Sequence, residues 1–290
     1  MIVDILISMR PRHWVKNAFV PAALIFSQHL FQWSYLLQTL IATASFLVVS
    51  CAVYLLNDLL DLERDRQHPQ KSLRPLAAGR VPAGIAWALA PLLFAAGIVT
   101  SYTVSGRFGH VVALYCALNF IYSVWLKRFV LIDVLIVAAG FLLRALGGAV
   151  AIDVDISTWF ILCSFTLALF LATVKRRQEL IRLDDDAGTH RESLEQYSVA
   201  YLDQVISVLT SATLVCYALY AMGVGEGGAT MSRNMQWTIP FVLYGIFRYL
   251  YLVYRRQEGE NPTVAIWSDR PLQVTVVLWV VASVLVLYVL

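Results

Sequence analysis

The stretch "YLLNDLLDLERDRQ", Tyr54 to Gln67, closes one of the most apolar passages of the chain. It then places an asparagine, three aspartates, a glutamate and two arginines within ten residues. If the helix of the apolar run continues through Asp65, the polar positions follow from 100° per residue. With Asn57 at zero, Asp61 falls at about 40°, Asp65 at about 80° and Asp58 at about 100°, so all four face one quadrant. Oxygen donors without histidine or thiolate suit Mg²⁺ or Ca²⁺, and Mg²⁺ is usually shared with the phosphates of a substrate. The alternative is a solvated helix end whose carboxylates interleave with Arg64 and Arg66. The common face and the position at membrane depth favour a metal site formed by Asn57, Asp58, Asp61 and Asp65.

The surrounding chain sets that stretch in a bilayer. Of the 290 residues, 59% are hydrophobic and only 14% charged, and the mean hydropathy is +0.69. A soluble domain of that composition lacks polar surface, so the reading is an all-α, polytopic membrane protein forming one unit over residues 1–290. Nine runs approach the roughly 20 residues a span requires, near 15–31, 36–56, 83–104, 109–126, 130–151, 157–174, 203–222, 235–254 and 272–290. The first is interrupted by Lys16, Asn17 and Pro21. Basic residues then choose the orientation. The amino terminus and alternate connections hold Arg10, Arg12, Lys16, Arg64, Arg66, Lys71, Arg74, Arg80, Lys127, Arg128, Lys175, Arg176, Arg177, Arg182, Arg191, Arg255, Arg256 and Arg270. The opposite connections hold Arg107 and Arg233. By the positive-inside rule the amino terminus is cytoplasmic. Since charge follows the first apolar stretch in "MIVDILISMRPRHWVKN", no cleavable signal peptide is expected.

Two cytoplasmic connections are long, from Asn57 to Pro82 and from Lys175 to Leu202, and they carry most of the polar chemistry. In the first, "HPQKSLRPLAAGRVPAG" brings Lys71, Arg74 and Arg80 close behind the acidic stripe. Beside a carboxylate–metal cluster such cations suit a bound diphosphate, although alone Lys71 and Arg74 read equally as positive-inside anchors. In the second, "LFLATVKRRQELIRLDDDAGTHRESLEQY" sets Lys175 at zero, Glu179 at about 40°, Arg182 at about −20° and Asp186 at about 20°. Arg176 then falls at about 100° and Arg177 points away. A basic stripe with one glutamate grips an anion directly. The plain alternative is an exposed i,i+4 pair of Lys175 with Glu179, worth about 0.3–0.5 kcal/mol.

Other polar residues lie deeper. Lys16 is placed to face the bundle interior or to snorkel, and Arg144 in "GFLLRALGGAV" has to be paired or hydrated, with Asp133 a candidate neighbour three turns away. Tyr115, Asn119 and Tyr122 share a face and line a cavity or pack a core. Gly147 and Gly148 allow close helix packing. "GVGEGG", Gly223 to Gly228, reads as an external turn, because it lies opposite both polar loops. Cys51, Cys116, Cys163 and Cys216 fall in separate apolar runs without metal spacing and read as packing residues. The basic residues are spread in blocks, which argues against nucleic acid as a partner; a homo-oligomer stays an open alternative.

"NDLLDLERD" resembles the NDxxDxxxD motif of the UbiA superfamily of intramembrane prenyltransferases. The likeness continues through "KSLRPLAAG" and the nine-span plan with a second polar loop. Within the superfamily, "MRPRHWVKN" and "KRRQEL" look like the phosphoribosyltransferase branch; "KRRQEL" stands where quinone- and haem-type members carry a second, DxxxD motif, and "LDDD", Leu183 to Asp186, lacks that spacing. The resemblance implies nine transmembrane helices around a central cavity in a bacterial plasma membrane, with Mg²⁺ as cofactor. It implies transfer of phosphoribosyl from 5-phosphoribosyl 1-diphosphate to a polyprenyl (decaprenyl) phosphate, for a cell-wall arabinose donor. Asp58, Asp61 and Asp65 would then be catalytic. Lys16, Asn57, Lys71, Arg74, Tyr122, Lys175, Arg176, Glu179 and Arg182 would bind the substrates. The nearest rival is a prenyltransferase ionising an allylic diphosphate; a transporter is disfavoured because the polar groups cluster at one side only.

Overall fold

A computed structural model of the chain describes residues 1–69, 71–182, 194, 196–224, 234–255, 265 and 268–289. A chain of this hydropathy satisfies its backbone polar groups inside a bilayer by forming helices. Among the described residues every regular element is helical. The α-helices are α1 (Ile2–Ser8), α2 (Phe19–Phe26), α3 (Trp33–Leu60), α4 (Leu62–Gln67), α5 (Ala83–Val104), α6 (Gly106–Val124), α7 (Ile132–Ala151), α8 (Thr158–Arg182), α9 (Val199–Ala221), α10 (Ile239–Arg255) and α11 (Arg270–Tyr288). Six of them, α3, α5, α7, α8, α9 and α11, are long and apolar enough to cross a membrane by length and composition. Helices α6, with 19 residues, and α10, with 17, fall outside that set.

The expected spans from residue 36 onward coincide with α3 and α5–α11 to within a few residues, except that α8 runs eight residues past its expected end at 174, whereas the first does not form one regular helix. Residues Pro11–Ala18 are a 3₁₀ helix that passes directly into α2, and the chain turns at Ser27. Pro21 has no N–H to offer the carbonyl of Asn17, so that rung of an α-helical ladder is missing at the junction. Arg10, at φ 54, and Gln28, at φ 64, mark the two ends of this rod in left-handed backbone. At 2.0 Å per 3₁₀ residue and 1.5 Å per α residue the rod is roughly 28 Å long.

Helix α3 packs along α5, α7 lies between α2 and α8, and α8 runs beside α9, with α10 against α11. One core joins Phe46, Val49 and Val53 of α3 to Phe108, Val112 and Tyr115 of α6. A second joins Phe170 and Val174 of α8 to Ile206 of α9 and Tyr249 and Leu252 of α10. The α2–α7 crossing is close at Gly148, where an added Cβ would sit 2.0 Å from the Val20 carbonyl oxygen. Outward faces carry Trp87, Leu92, Val99, Leu114, Val208, Phe247 and Val277, all exposed. So much apolar surface belongs against lipid, and the chain is a multi-pass membrane protein.

Candidate active site

The acidic stretch keeps its helical hydrogen bonds across the α3–α4 junction. The Asp61 amide donates to the Asn57 carbonyl at 3.0 Å and the Asp65 amide to the Asp61 carbonyl at 2.8 Å, although Asp61 itself leaves helical geometry at φ −98 and ψ 9. Asp58 and Asp65 are buried, at 3% and 4% exposure, and Asn57 and Asp61 are half-buried. Each aspartate meets a cation from another part of the chain. Arg74 donates through one nitrogen, Nη1, to both Asp58 at 3.2 Å and Asp65 at 2.5 Å. Arg10 also donates to Asp58, and Lys127 Nζ lies 2.7 Å from Asp61. The shared face expected of the stripe is therefore divided, because the bend at Asp61 and the separate cations turn the carboxylates to different partners. Among the described residues no three His, Cys, Asp or Glu side chains converge as a metal site. Asp58 and Asp65 do converge on a single positively charged nitrogen, and an all-oxygen pair holding one cation has the donor chemistry of Mg²⁺.

Facing this stretch is the 3₁₀ rod, which lies against one face of α3 in three rungs. Arg10 pairs with Asp58, the His13 ring packs edge-on to Tyr54 at 5.8 Å, and Ser50 donates to the Asn17 side-chain oxygen at 3.4 Å. The spacings match, since residues 10, 13 and 17 meet residues 58, 54 and 50, which recur every four positions along one α-helical face. Arg10 also lies over the Tyr54 ring at 5.1 Å. Lys16 stands within electrostatic reach of Lys175, Arg144 and Arg10, which brings the first segment and the second basic stripe together.

The second constellation is more tightly tied than its sequence spacing implied. Arg176 is buried and donates through Nε to Asp133 at 2.7 Å and through Nη1 to Glu179. Lys175 Nζ lies 3.6 Å from Glu179, so the i,i+4 pair exists but shares its carboxylate with a buried guanidinium. Asp133 also accepts from the Tyr197 hydroxyl at 2.8 Å, and that hydroxyl accepts from the Leu131 amide at 2.7 Å. Burial and the neighbouring Asp133 carboxylate push the Tyr197 phenol up, keeping it a proton donor. Tyr122 of α6 lies within electrostatic reach of Arg176. Arg182 is exposed at the end of α8. Lys71 opens a 3₁₀ turn, its amide donating to His68 Nδ1 at 3.3 Å. Asp186 and the rest of "LDDD" lie outside the described residues.

Two expectations change. Asp133 is not the neighbour of Arg144: three turns of α7 separate them, and Asp133 serves Arg176. Arg144 instead donates to the Asn17 oxygen at 2.9 Å, the Gly140 carbonyl at 3.0 Å, Ser50 at 3.1 Å and the Tyr115 hydroxyl at 2.5 Å. Arg80 is turned away from the acidic stripe, binding Asp4 at 3.0 Å and the Leu73 carbonyl at 2.9 Å. Arg177 points away as expected, binding Asp203 and lying 4.3 Å over the Tyr254 ring. Sequence reasoning missed Lys127, Tyr197 and the pairing of Arg10. None of the three carries a local signal, because each contact joins segments far apart in the chain.

Comparison with known proteins places this geometry. A sequence profile of the UbiA prenyltransferase family matches residues 18–268. The chain is 35% identical over 284 residues to a decaprenyl-phosphate phosphoribosyltransferase of Mycolicibacterium smegmatis, covering 94% of this chain and 89% of that one. It is 33% identical over 288 residues to the protein of the same description from Corynebacterium glutamicum, covering 98% and 86%. Among solved structures, a UbiA homologue from Archaeoglobus fulgidus bound to GPP and Mg²⁺ superposes with a TM-score of 0.74 over 99% of this chain and 100% of that one, at 17% identity. At that identity the likeness carries the fold.

Proposed function

The chain belongs to the UbiA prenyltransferase family, and from that premise we propose that it moves the 5-phosphoribosyl group of 5-phosphoribosyl 1-diphosphate onto a polyprenyl (decaprenyl) phosphate, releasing diphosphate. The observation that carries this reading is the 35% identity to a decaprenyl-phosphate phosphoribosyltransferase along 94% of the chain. The site supports it: Lys16 is within electrostatic reach of both Lys175 and Arg144, which suits a reaction with two phosphorylated substrates. The product would be the precursor of a lipid-linked arabinose donor for the cell wall. We place the protein in a bacterial plasma membrane with nine crossings around a central cavity, the first made by the 28 Å 3₁₀/α rod (roughly, from helical rises), and with the amino terminus and both polar loops cytoplasmic.

In this mechanism Asn57, Asp58, Asp61 and Asp65 would hold Mg²⁺, which supplies positive charge to a leaving diphosphate. Lys71 and Arg74 grip the diphosphate. Arg10, Arg74 and Lys127 have carboxylate partners, and phosphate oxygens are equivalent alternative partners, so substrate entry exchanges ion pairs without stranding a charge. Lys175, Arg176 and Arg182 hold the sugar 5-phosphate, Glu179 accepts from ribose hydroxyls, and Tyr122 lines the ribose. The lipid phosphate, brought in beside Lys16, attacks ribose C1 from the face opposite the leaving group. The C1–O bond to diphosphate breaks as the new C1–O bond forms, inverting the anomeric centre. A phosphate nucleophile is already ionised at neutral pH, so no general base is required, and positioning with electrostatic stabilisation supplies the rate.

The test presents purified protein and Mg²⁺ with ribose-labelled 5-phosphoribosyl 1-diphosphate plus a short polyprenyl phosphate, and separately with labelled geranyl diphosphate plus an aromatic acid. Label entering the organic phase from the first donor and no prenylated acid from the second is expected. The opposite pattern would reverse the assignment.

A further inference from the structure

The 3₁₀ rod carries two buried side-chain nitrogens without a hydrogen-bond partner, Asn17 Nδ2 and His13 Nδ1. Asn17 is 2% exposed, and its side-chain oxygen is taken by Arg144 Nε at 2.9 Å and the Ser50 hydroxyl at 3.4 Å. Those donors fix the orientation of the amide, so Nδ2 points away from both, and it has no hydrogen-bond partner. A buried amide donor left this way carries an uncompensated desolvation penalty unless something accepts from it. Arg144 adds a second imbalance. It is 5% exposed, and its four hydrogen bonds all go to uncharged oxygens of Asn17, Gly140, Ser50 and Tyr115. Lys16, the residue before Asn17, likewise has no carboxylate within ion-pair distance among the described residues, and it lies within electrostatic reach of Arg144 and Lys175. Cations at membrane depth that lack a counter-charge, beside an unfilled amide donor, describe the surroundings of an anion.

Building on the proposed transfer reaction, we infer that Lys16 and the Asn17 carboxamide form the subsite for the phosphomonoester headgroup of the lipid acceptor, with Arg144 as the positioning residue that fixes the amide. Depth chooses the lipid over the donor sugar phosphate. Ser50, which meets Asn17, lies eight residues before Asp58 on α3, roughly 12 Å further into the membrane. A water-soluble donor enters at the Asp58 end, whereas a lipid brings its phosphate in from the bilayer. His13 Nδ1, buried and also without a partner, stands on the same rod between the two levels, in the field of Lys16, Arg10, Lys175 and Arg74.

The full chain in detergent, as wild type, Lys16→Met and Asn17→Asp, decides the matter in two assays. The first measures binding of a fluorescent short polyprenyl phosphate without donor, competed by inorganic phosphate or by the phosphate-free polyprenol. The second measures KM for each substrate. The expectation is at least a tenfold loss of lipid-phosphate affinity in both variants, a matching rise in KM for the lipid, and donor KM within twofold of wild type. Polyprenol should compete poorly in the wild type, since it lacks the charge. A rise in donor KM alone would move the subsite to the sugar phosphate, and unchanged lipid affinity would remove it; either overturns the inference. Should Asn17→Asp fail to fold, Lys16→Met carries the test, because Lys16 has no hydrogen bond to lose among the described residues. If wild type moves no phosphoribosyl group, the proposed reaction falls, while the binding assay still decides this subsite.

Discussion

A single guanidinium nitrogen of Arg74 spans two buried aspartates, and these are the charges we propose act on the substrate. Asp65→Asn keeps the shape and removes the charge. It should lower kcat by about 100-fold or more, as loss of one preorganised electrostatic group does, with the melting temperature held within a few degrees. Asp4 offers the contrast: its pair with Arg80 is partly exposed, at 22% and 49%, and such pairs contribute about 0–1 kcal/mol. Asp4→Asn should leave turnover unchanged. Arg144→Met removes charged hydrogen bonds that contribute about 1.5–3 kcal/mol each, so a clear drop in thermal stability is expected alongside any kinetic effect. Part of this was legible in sequence: Asp58, Asp65 and Arg74 do gather, because a 3.6-residue period fixes which side chains share a face, whereas Asp61 turns to Lys127. The cations Lys127 and Arg10 come from distant segments, and no local period records a contact across 66 or 48 residues.

At the scale of elements, the long apolar runs gave their helices directly, since backbone in a bilayer has few alternatives. The first segment departed because its shape answers to a partner. The rod sets Arg10, His13 and Asn17 against Asp58, Tyr54 and Ser50. Its position depends on the close crossing with α7, where Gly148 leaves no room for a Cβ beneath the Val20 carbonyl. Gly148→Ala should force the rod away from α7, at a cost of about 1–3 kcal/mol for overpacking. A lower melting temperature with raised KM for the lipid substrate, measured in detergent, would show the rod and the site moving together. The second basic stripe was legible as Lys175 and Glu179. Its buried support, Asp133 with Tyr197, was not, because Asp133 reads in sequence as a partner for the arginine on its own helix.

For the whole molecule, charge asymmetry predicts which face meets the cytoplasm. Arg107 and Asp153 sit exposed at the end opposite the polar loops. In spheroplasts, a membrane-impermeant maleimide should label Arg107→Cys, while Ser72→Cys should react only after the membrane is opened; the reverse pattern would invert the orientation. The polar chemistry collects at one end, and this one-sidedness is what a transferase with a lipid acceptor and a cytoplasmic donor requires. Which group crosses to the lipid is tested most directly with a donor labelled at two places, ¹⁴C in the ribose and ³²P in the β-phosphate of 5-phosphoribosyl 1-diphosphate. Incubated with the protein, Mg²⁺ and polyprenyl phosphate, ¹⁴C should enter the lipid phase while ³²P stays in water as diphosphate. Lipid carrying ³²P, or no ¹⁴C in the lipid under conditions where the protein is folded, would contradict the account.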